Sequence, residues 1–466
     1  MSGLAQPDVA TSRVLPGYTP AADSAPPPGH DPALTAVHAL LDRLFGRAGD
    51  CDVDIHLWDG SVRRATTAAR APFALHICRR GALRRMLLPP SELSIAEAFV
   101  SGDVDISGDL ERATTLGDRI AARVQSPGDA GALLPLVLAL PRDDARPDAV
   151  AGRHVRARDA GRRSDAPEIR FHYDVGNAFY ALWLDPSMVY TCAYFERADV
   201  DLATAQTAKL ELICRKLRLQ PGQRLLDIGC GWGALVQHAA QHHGVEALGI
   251  TLSAAQAEWA QARIRERGLE GRCRVEVLDF RDLPPDARFD RVSSVGVTEH
   301  VPADQQEDYF RRVHDVLRPG GLFLNHCETS NKASRRRYTV AERLERWAWK
   351  RDQFIHHYVF PDAKLVSLGS LVTKAERVGF ETRDVESLRE HYTITLRHWL
   401  RTLESRRDEA VALVGERTYR VWRLYMSVSA YGFDSGAINL AQMLLSRPAA
   451  DGSSGLPLTR RDLYGA

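Results

Sequence analysis

The sequence predicts an α/β protein: a doubly wound sheet with helices on both faces, preceded by a smaller N-terminal α+β domain. Three observations carry this. From residue 168 onward, strand-like runs alternate with helical stretches. One of those runs ends in closely spaced glycines at the mouth of a helix. Upstream, short strand-like runs and an amphipathic stretch stand apart, separated from the rest by a charged break.

The alternation runs as follows. Residues 223–228, 247–251, 275–277, 289–295 and 321–325 read as strands, rich in Val, Ile, Leu and Phe. Residues 234–242, 254–267 and 305–317 read as the helices between them. Strands spaced by helices of this length indicate a parallel sheet covered on both faces.

The N-terminal part is different. Residues 1–31 are rich in Pro, Ala, Gly and Ser, include Pro26-Pro27-Pro28, and are expected to be a disordered tail. Residues 32–141 form the α+β domain. Leu34, Val37, Leu40, Leu41 and Leu44 make one helical stripe. Residues 53–57 and 74–77 read as strands, with Trp58-Asp59-Gly60-Ser61 as a hairpin turn. Residues 91–100 read as a helix ended by Gly102-Asp103. Residues 142–167, with Arg153, Arg156, Arg158, Arg162 and Arg163 among Gly and Ala, are expected to be a solvated linker. A contact with anionic lipid headgroups is the alternative, worth about 1 kcal/mol per basic residue near such a surface. Asp143, Asp144, Asp148, Asp159 and Asp165 dilute it. The sheet domain then spans 168–445, and 446–466 is expected to be a polar C-terminal tail.

The chain has 466 residues, 44% of them hydrophobic and 26% charged, enough for two or three domains with sizeable cores. A formal net charge of +1 argues against bulk electrostatic binding of nucleic acid, which needs a basic surface. Seven cysteines are scattered without zinc-ligand spacing, so neither a metal site nor a disulfide framework is expected, and a reducing cytoplasm fits. The N-terminus lacks a signal peptide's apolar core. The longest apolar run, residues 130–141, is too short to span a bilayer and contains Pro135. Any meeting with a membrane is expected from its surface.

The strongest local signal is Leu226-Asp227-Ile228-Gly229-Cys230-Gly231-Trp232-Gly233. Glycine allows a sharp turn and lets a ligand approach the main chain closely. No Gly-Lys-Ser/Thr follows, so this is not a P-loop, and the glycine spacing is not that of a dinucleotide fold. Asp-x-Gly-x-Gly-x-Gly resembles the first motif of class I methyltransferases, which have a Rossmann-like fold and bind S-adenosylmethionine. In that fold Asp227 orients the cofactor's amino-acid end or the loop beside it. The second strand ends at Thr251-Leu252-Ser253 rather than at an acid, so Thr251 and Gln256 are candidates for the ribose hydroxyls. Asp279-Phe280-Arg281, after the third strand, offers an acceptor for the adenine amino group and a ring to lie against it.

Together with other segments, this loop resembles the cyclopropane-fatty-acyl-phospholipid synthase family, which includes the mycolic acid cyclopropane synthases. The matching segments are residues 171–177, 188–195 (Met-Val-Tyr-Thr-Cys-Ala-Tyr-Phe), Thr251-Leu252-Ser253 with Gln256, and 295–301 (Val-Gly-Val-Thr-Glu-His-Val). His326, residues 358–361 and His391-Tyr392 complete them. Residues 97–105 look like the family's N-terminal lipid-binding domain. The resemblance implies transfer of the methyl carbon of S-adenosylmethionine to the double bond of a phospholipid's acyl chain at the membrane surface. Tyr190, Thr191, Leu252 and Gly233 join the implied cofactor contacts. A homodimer is one assembly left open.

Alkene attack on a methyl group leaves a carbocation, so the site needs apolar walls, groups that stabilise positive charge, and a positioned base. The resemblance implies a bound bicarbonate as that base, held by the backbone around Cys192, by Glu299, His326 and Tyr392, and by the amide of Glu328. Cys192 has no basic sequence neighbour and is not expected to be a nucleophile. Family members often carry a small apolar residue where this chain has Glu328. A carboxylate entering the site there would alter proton removal and leave a methylene- or methyl-branched product open. A catalytically silent lipid carrier and a methyltransferase of soluble small molecules are the rival readings.

Overall fold

A computed structural model describes residues 32–47, 53–66, 72–117, 127–142, 175–330, 354–360 and 365–463. The tail at 1–31, the arginines expected in the linker, residues 171–174 and Pro361 lie outside the described residues.

The N-terminal unit holds α1 (Pro32–Phe45), β1 (Asp54–His56), β2 (Val62–Arg63), β3 (Phe73–Ile77), α2 (Ala82–Leu87), α3 (Glu92–Val100), β4 (Val104–Gly108), α4 (Leu110–Thr114) and α5 (Pro127–Ala139). Its sheet has the order β2-β1-β3-β4. The turn at 58–61 closes the antiparallel β1–β2 pair. Val37, Leu40, Leu41 and Leu44 of α1 face the alternate residues Phe73, Leu75 and Ile77 of β3 in one core, as the stripe and the strand alternation require. Ser91 and Ser94 cap α3 reciprocally, satisfying donors that a helix start leaves free.

The larger unit contains α6 (Asn177–Trp183), α7 (Leu202–Lys216), β5 (Arg224–Ile228), α8 (Ala234–His243), β6 (Glu246–Thr251), α9 (Ala254–Glu266), β7 (Cys273–Val277), β8 (Phe289–Val295), α10 (Gln306–Val316), β9 (Leu317–Ser330), α11 (Phe354–Tyr358), α12 (Leu368–Val378), β10 (Glu381–Ser387), α13 (Arg389–Ser405), α14 (Arg407–Asp434) and β11 (Ile438–Ser446). Among the described residues its sheet has the order β10-β11-β9-β8-β5-β6-β7. The five strands expected from the sequence are its parallel part. The structure adds β11, antiparallel to β9, and β10, antiparallel to β11. The parallel sheet expected from the sequence is thus extended on one side by two antiparallel strands.

Two further features were not read from the sequence. Residues 460–463 are anchored: Leu463 is buried, Asp462 meets Arg218 at 2.9 Å and Arg460 meets Asp384 at 2.7 Å. One apolar residue and two ion pairs in a polar stretch leave no compositional trace. α14, two helical stretches broken at Gly415 (φ +79°, ψ 158°), ties the two units together through its second stretch. Arg420 donates to the Phe99 carbonyl at 2.9 Å and to Asp105 at 2.9 Å, and Arg423 lies over the Phe99 ring. Among the described residues no helix is long and apolar enough to cross a membrane.

Candidate active site

β5 leaves the middle of the sheet between β6 and β8, where the direction of strand succession reverses. Ligands of open α/β sheets bind in the crevice at this point. Gly229, Gly231 and Gly233 have φ of +70°, +54° and +76°, a left-handed backbone that side chains disfavour. A Cβ on Gly229 would stand 2.3 Å from Val297 Cγ2, so that glycine is there for packing. A Cβ on Gly231 would meet nothing within 4 Å, because this residue opens onto a cleft. Gly233 caps α8 against Ala260 and Val275.

The cleft holds about 840 Å³, part of it open to solvent. Asp227, Gly229, Gly231 and Gln256 line it, as do Glu299, Glu328 and Tyr392, with Tyr190 and Thr191. Asp227 is buried and accepts from Ser293 Oγ at 2.7 Å, and burial pushes its carboxyl up to about 7. Thr251 does not line the cleft. Its hydroxyl donates to Gln256 Oε1 at 2.7 Å and braces that side chain, while Leu252 is half-buried beside it. Trp232 of the loop donates to Asn177 Oδ1 at 2.9 Å, which joins two of the sequence segments singled out above.

Asp279, Phe280 and Arg281 are not brought to the cleft. Asp279 accepts from the Arg281 amide at 2.9 Å and pairs with its guanidinium at 3.0 Å. The Phe280 ring packs edge-on against Tyr309 at 5.1 Å. These contacts hold the three side chains in one local cluster.

Cys192 is buried, donates to the Ala193 and Leu388 carbonyls, and burial pushes its thiol far up. The next amide, of Ala193, is taken by Thr395 Oγ1 at 3.0 Å. Cys192 is thus placed as a packing residue, as its lack of a basic sequence neighbour suggests.

His326 is held by a chain of contacts absent from the sequence signal. Lys216 Nζ donates to Gln442 Oε1 at 2.7 Å and pairs with Glu386. That fixes the amide of Gln442, whose nitrogen faces His326 Nδ1 at 3.1 Å. Nδ1 is therefore the acceptor and Nε2 carries the hydrogen, with no partner among the described residues. Burial, with Lys209 and Lys216 nearby, holds the imidazole well below its ordinary range, so it is neutral.

Glu299 sits on the turn after β8 and Glu328 on β9, on the same face of the strand as His326. Glu299 Oε1 accepts from the Glu328 amide at 3.4 Å, and Glu299 Oε2 is buried without a partner. Tyr392, from α13, lines the cleft together with Glu328. Burial raises both carboxyls, and the Glu328 charge adds to the rise at Glu299. Burial first, then Glu328, also raises Tyr392. These residues do not fit a bicarbonate. The Glu328 amide, one of its expected donors, already serves Glu299 at 3.4 Å, and a further anion would join two acids in a site with little water.

Sequence reading missed Lys209. It lies on α7, is 2% exposed, lines the cleft, and donates to Thr191 Oγ1 at 2.9 Å. Gln206, one turn earlier, donates to the Thr191 carbonyl at 2.8 Å. The signal was present as two polar residues on the apolar side of a helix. Also unforeseen, Cys214, His238 and His243 have ligand atoms within 4.8 Å of one another. Glu211 serves both imidazoles there, at 3.2 and 3.0 Å, which satisfies them within the protein.

Gly231→Val is expected to leave the fold intact and remove S-adenosylmethionine binding, because the branched side chain would project into the cleft. Calorimetry on a variant of unchanged circular dichroism checks this; retained affinity would separate the loop from the cofactor.

A model of the family described as mycolic acid cyclopropane synthetase matches residues 161–443. The chain is 38% identical over 433 residues, 93% of its length and 98% of the relative's, to a Pseudomonas putida protein described as "Probable fatty acid methyltransferase". Among solved structures it resembles the cyclopropane synthase MmaA2 from Mycobacterium tuberculosis, at TM-score 0.55 and 34% identity, covering 60% of this chain and 97% of that one. It resembles equally the mycolic acid cyclopropane synthase CmaA1 complexed with SAH and CTAB, at TM-score 0.55 and 33% identity, over 60% of this chain and 97% of that one. The mixed sheet is that of class I methyltransferases, and this chain belongs to the mycolic acid cyclopropane synthetase family of S-adenosylmethionine-dependent methyltransferases.

Proposed function

We propose that this chain moves the methyl carbon of S-adenosylmethionine to the double bond of an unsaturated acyl chain of a phospholipid, closing a cyclopropane ring. The observation that carries this is one cleft lined by two unlike sets of residues. The glycine set has the exposed backbone and the buried acid that a cationic cofactor needs. Asp227, Gly229, Gly231 and Gln256 would hold the cofactor, which supplies an electrophilic methyl group. The other set combines aromatic walls with carboxyls.

The walls suit the chemistry. Tyr190, Trp232, Phe360, Tyr392 and Tyr425 line the cleft. Aromatic faces attract a cation by about 0.5–2 kcal/mol each, and they exclude water that would trap it. No strong nucleophile competes, since Cys192 is buried away as a neutral thiol. On the outside, Leu134 and Leu138 of α5 are each 52% exposed. An apolar helix face of this kind suits an enzyme lying on the cytoplasmic face of a membrane, where its substrate is.

A methylene- or methyl-branched product is a second reading of the same site. Glu328 favours it, because a carboxylate in the cleft can take its proton from more than one carbon of the cation. The likeness to a protein described as a fatty acid methyltransferase over 93% of the chain also favours it.

The test uses the full chain, S-adenosylmethionine labelled in its methyl group, and vesicles of mono-unsaturated phospholipid. Label is expected in the lipid, with a mass gain of one CH₂. Proton NMR separates ring from methylene branch. Label transferred only to soluble acceptors would overturn the reading.

A further inference from the structure

We propose that Glu328 is the base of this reaction, a carboxylate built into the chain where a bound anion would otherwise be required. The inference rests on the proposed methyl transfer to an alkene. It begins from the mismatch described above: the site expected to hold bicarbonate already contains its own acceptors.

The geometry assigns the roles. Glu328 stands two residues past His326 on β9, so its side chain shares that residue's face of the sheet, and it lines the cleft. Its neighbour Glu299 enters from the turn after β8 and receives only the long 3.4 Å contact from the Glu328 amide. Glu328 is only half-buried where it lines the cleft, while Glu299 is buried with its Oε2 enclosed, so burial weighs less against the ionised form at Glu328. Two carboxyls this close in a desolvated site do not both ionise. One proton therefore stays on Glu299, and the single negative charge rests on Glu328. The cleft then presents one anion to the one positive charge that the reaction develops.

The step balances without any other reagent. The alkene π pair forms the new bond to the methyl carbon as the sulfur–methyl bond breaks, its pair returning to sulfur. The cation on the acyl chain then loses a proton from that methyl carbon to a Glu328 oxygen. The freed C–H pair forms the last bond of the ring. Loss of the proton after a hydride shift along the chain gives the methylene branch instead. Raised into the neutral range by burial, Glu328 is a stronger base than an ordinary surface carboxylate and is still ionised in part near neutrality. An added bicarbonate has no task here.

The experiment compares the wild type with Glu328→Gln and Glu328→Ala. Each is run in carbonate-free buffer and with added bicarbonate, using the labelled lipid assay. Cofactor affinity by calorimetry and thermal melting confirm that each variant is folded. The wild type is expected to turn over equally in both buffers. Glu328→Gln should bind cofactor normally and lose turnover by about 10²–10⁴-fold, the usual contribution of a positioned general base. Glu328→Ala should be equally slow without bicarbonate and recover with it, because the vacated space can admit the ion. A wild-type rate that falls when carbonate is removed, or a Glu328→Gln rate equal to wild type, would overturn the assignment. A wild type that methylates no lipid under either condition would instead sink the proposed function, and this inference with it.

Discussion

Cofactor affinity should fall as pH drops through about 7, and the Asp227→Asn variant should lose both the affinity and its pH dependence. Asp227 is buried on β5 and lines the cleft. Burial pushes its carboxyl up to about 7, while the Ser293 hydroxyl and then Lys209 pull it down. A cationic ligand nearby favours the ionised form and lowers this pKa by about 1–3 units. The sign follows. Above about 7 the carboxylate is already charged and binding needs no proton release. Below it, binding must expel a proton, and affinity drops up to tenfold for each pH unit until the bound-state pKa is reached. The other groups facing Asp227 do not blur this window. Cys214 and Cys230 are pushed well up by burial and stay neutral. Lys209, held by burial at about 8, loses its charge only above the range of interest. Asparagine has the same shape and no charge, so its affinity should be flat in pH and about 10- to 1000-fold weaker on the alkaline side. Calorimetry between pH 5.5 and about 7.5, in buffers of different ionisation enthalpy, reads the affinity and the proton released. Equal affinity at both ends in the wild type would remove Asp227 from the ligand's reach.

The parts of the fold legible in the sequence were those where pattern and mechanism agree. β5, the glycine loop and α8 follow from an apolar run, left-handed turns that only glycine takes easily, and a helical stripe. β11 was invisible for a physical reason. Ile-Asn-Leu-Ala-Gln-Met-Leu-Leu-Ser pairs on both sides with β9 and β10, so it shows no in–out alternation, and Ala, Gln, Met and Leu equally suit a helix. β10 was missed for the opposite reason. Glu-Thr-Arg-Asp-Val-Glu-Ser lies at the sheet edge and is polar enough to resemble a loop.

The site was legible in the same uneven way. Gly229 and Gly231 could be reasoned from backbone geometry. Glu299, Glu328 and Tyr392 lie in three separate elements, and only the family resemblance put them together. Lys209 escaped because a lysine in an amphipathic helix is ordinarily on the wet face. Asp279, Phe280 and Arg281 were chosen by position after the third strand. That position is right for the fold, but their side chains are occupied by one another and by Tyr309. Position along a strand locates a residue near a crevice; it does not say where its hydrogen bonds go.

Trp422→Ala should cost about 3–5 kcal/mol of stability, the range for removing a large buried aromatic side chain. Trp422 is 5% exposed and sits among rings from three separate stretches of chain. Phe179, Tyr180 and Trp183 of α6 lie 5.6, 5.4 and 5.5 Å away, centre to centre. Tyr190, which lines the cleft, is at 6.0 Å, and Tyr425 of the same helix at 5.8 Å. Several pairs are edge-to-face, which adds about 0.5–1.5 kcal/mol beyond area. The residue is on α14 two positions after Arg420, the residue that holds the N-terminal unit through Asp105 and the Phe99 carbonyl. Its loss should therefore do two things at once. It should lower the denaturant midpoint, and it should loosen Tyr190 at the cleft wall, slowing lipid methylation while cofactor affinity at Asp227 changes little. Trp422→Phe should recover most of the stability, since one ring of the pair of fused rings remains in place. Chemical denaturation followed by circular dichroism, with cofactor calorimetry and the lipid assay on each variant, makes the comparison. A midpoint unmoved by alanine would mean that this aromatic cluster does not hold α6 and α14 together.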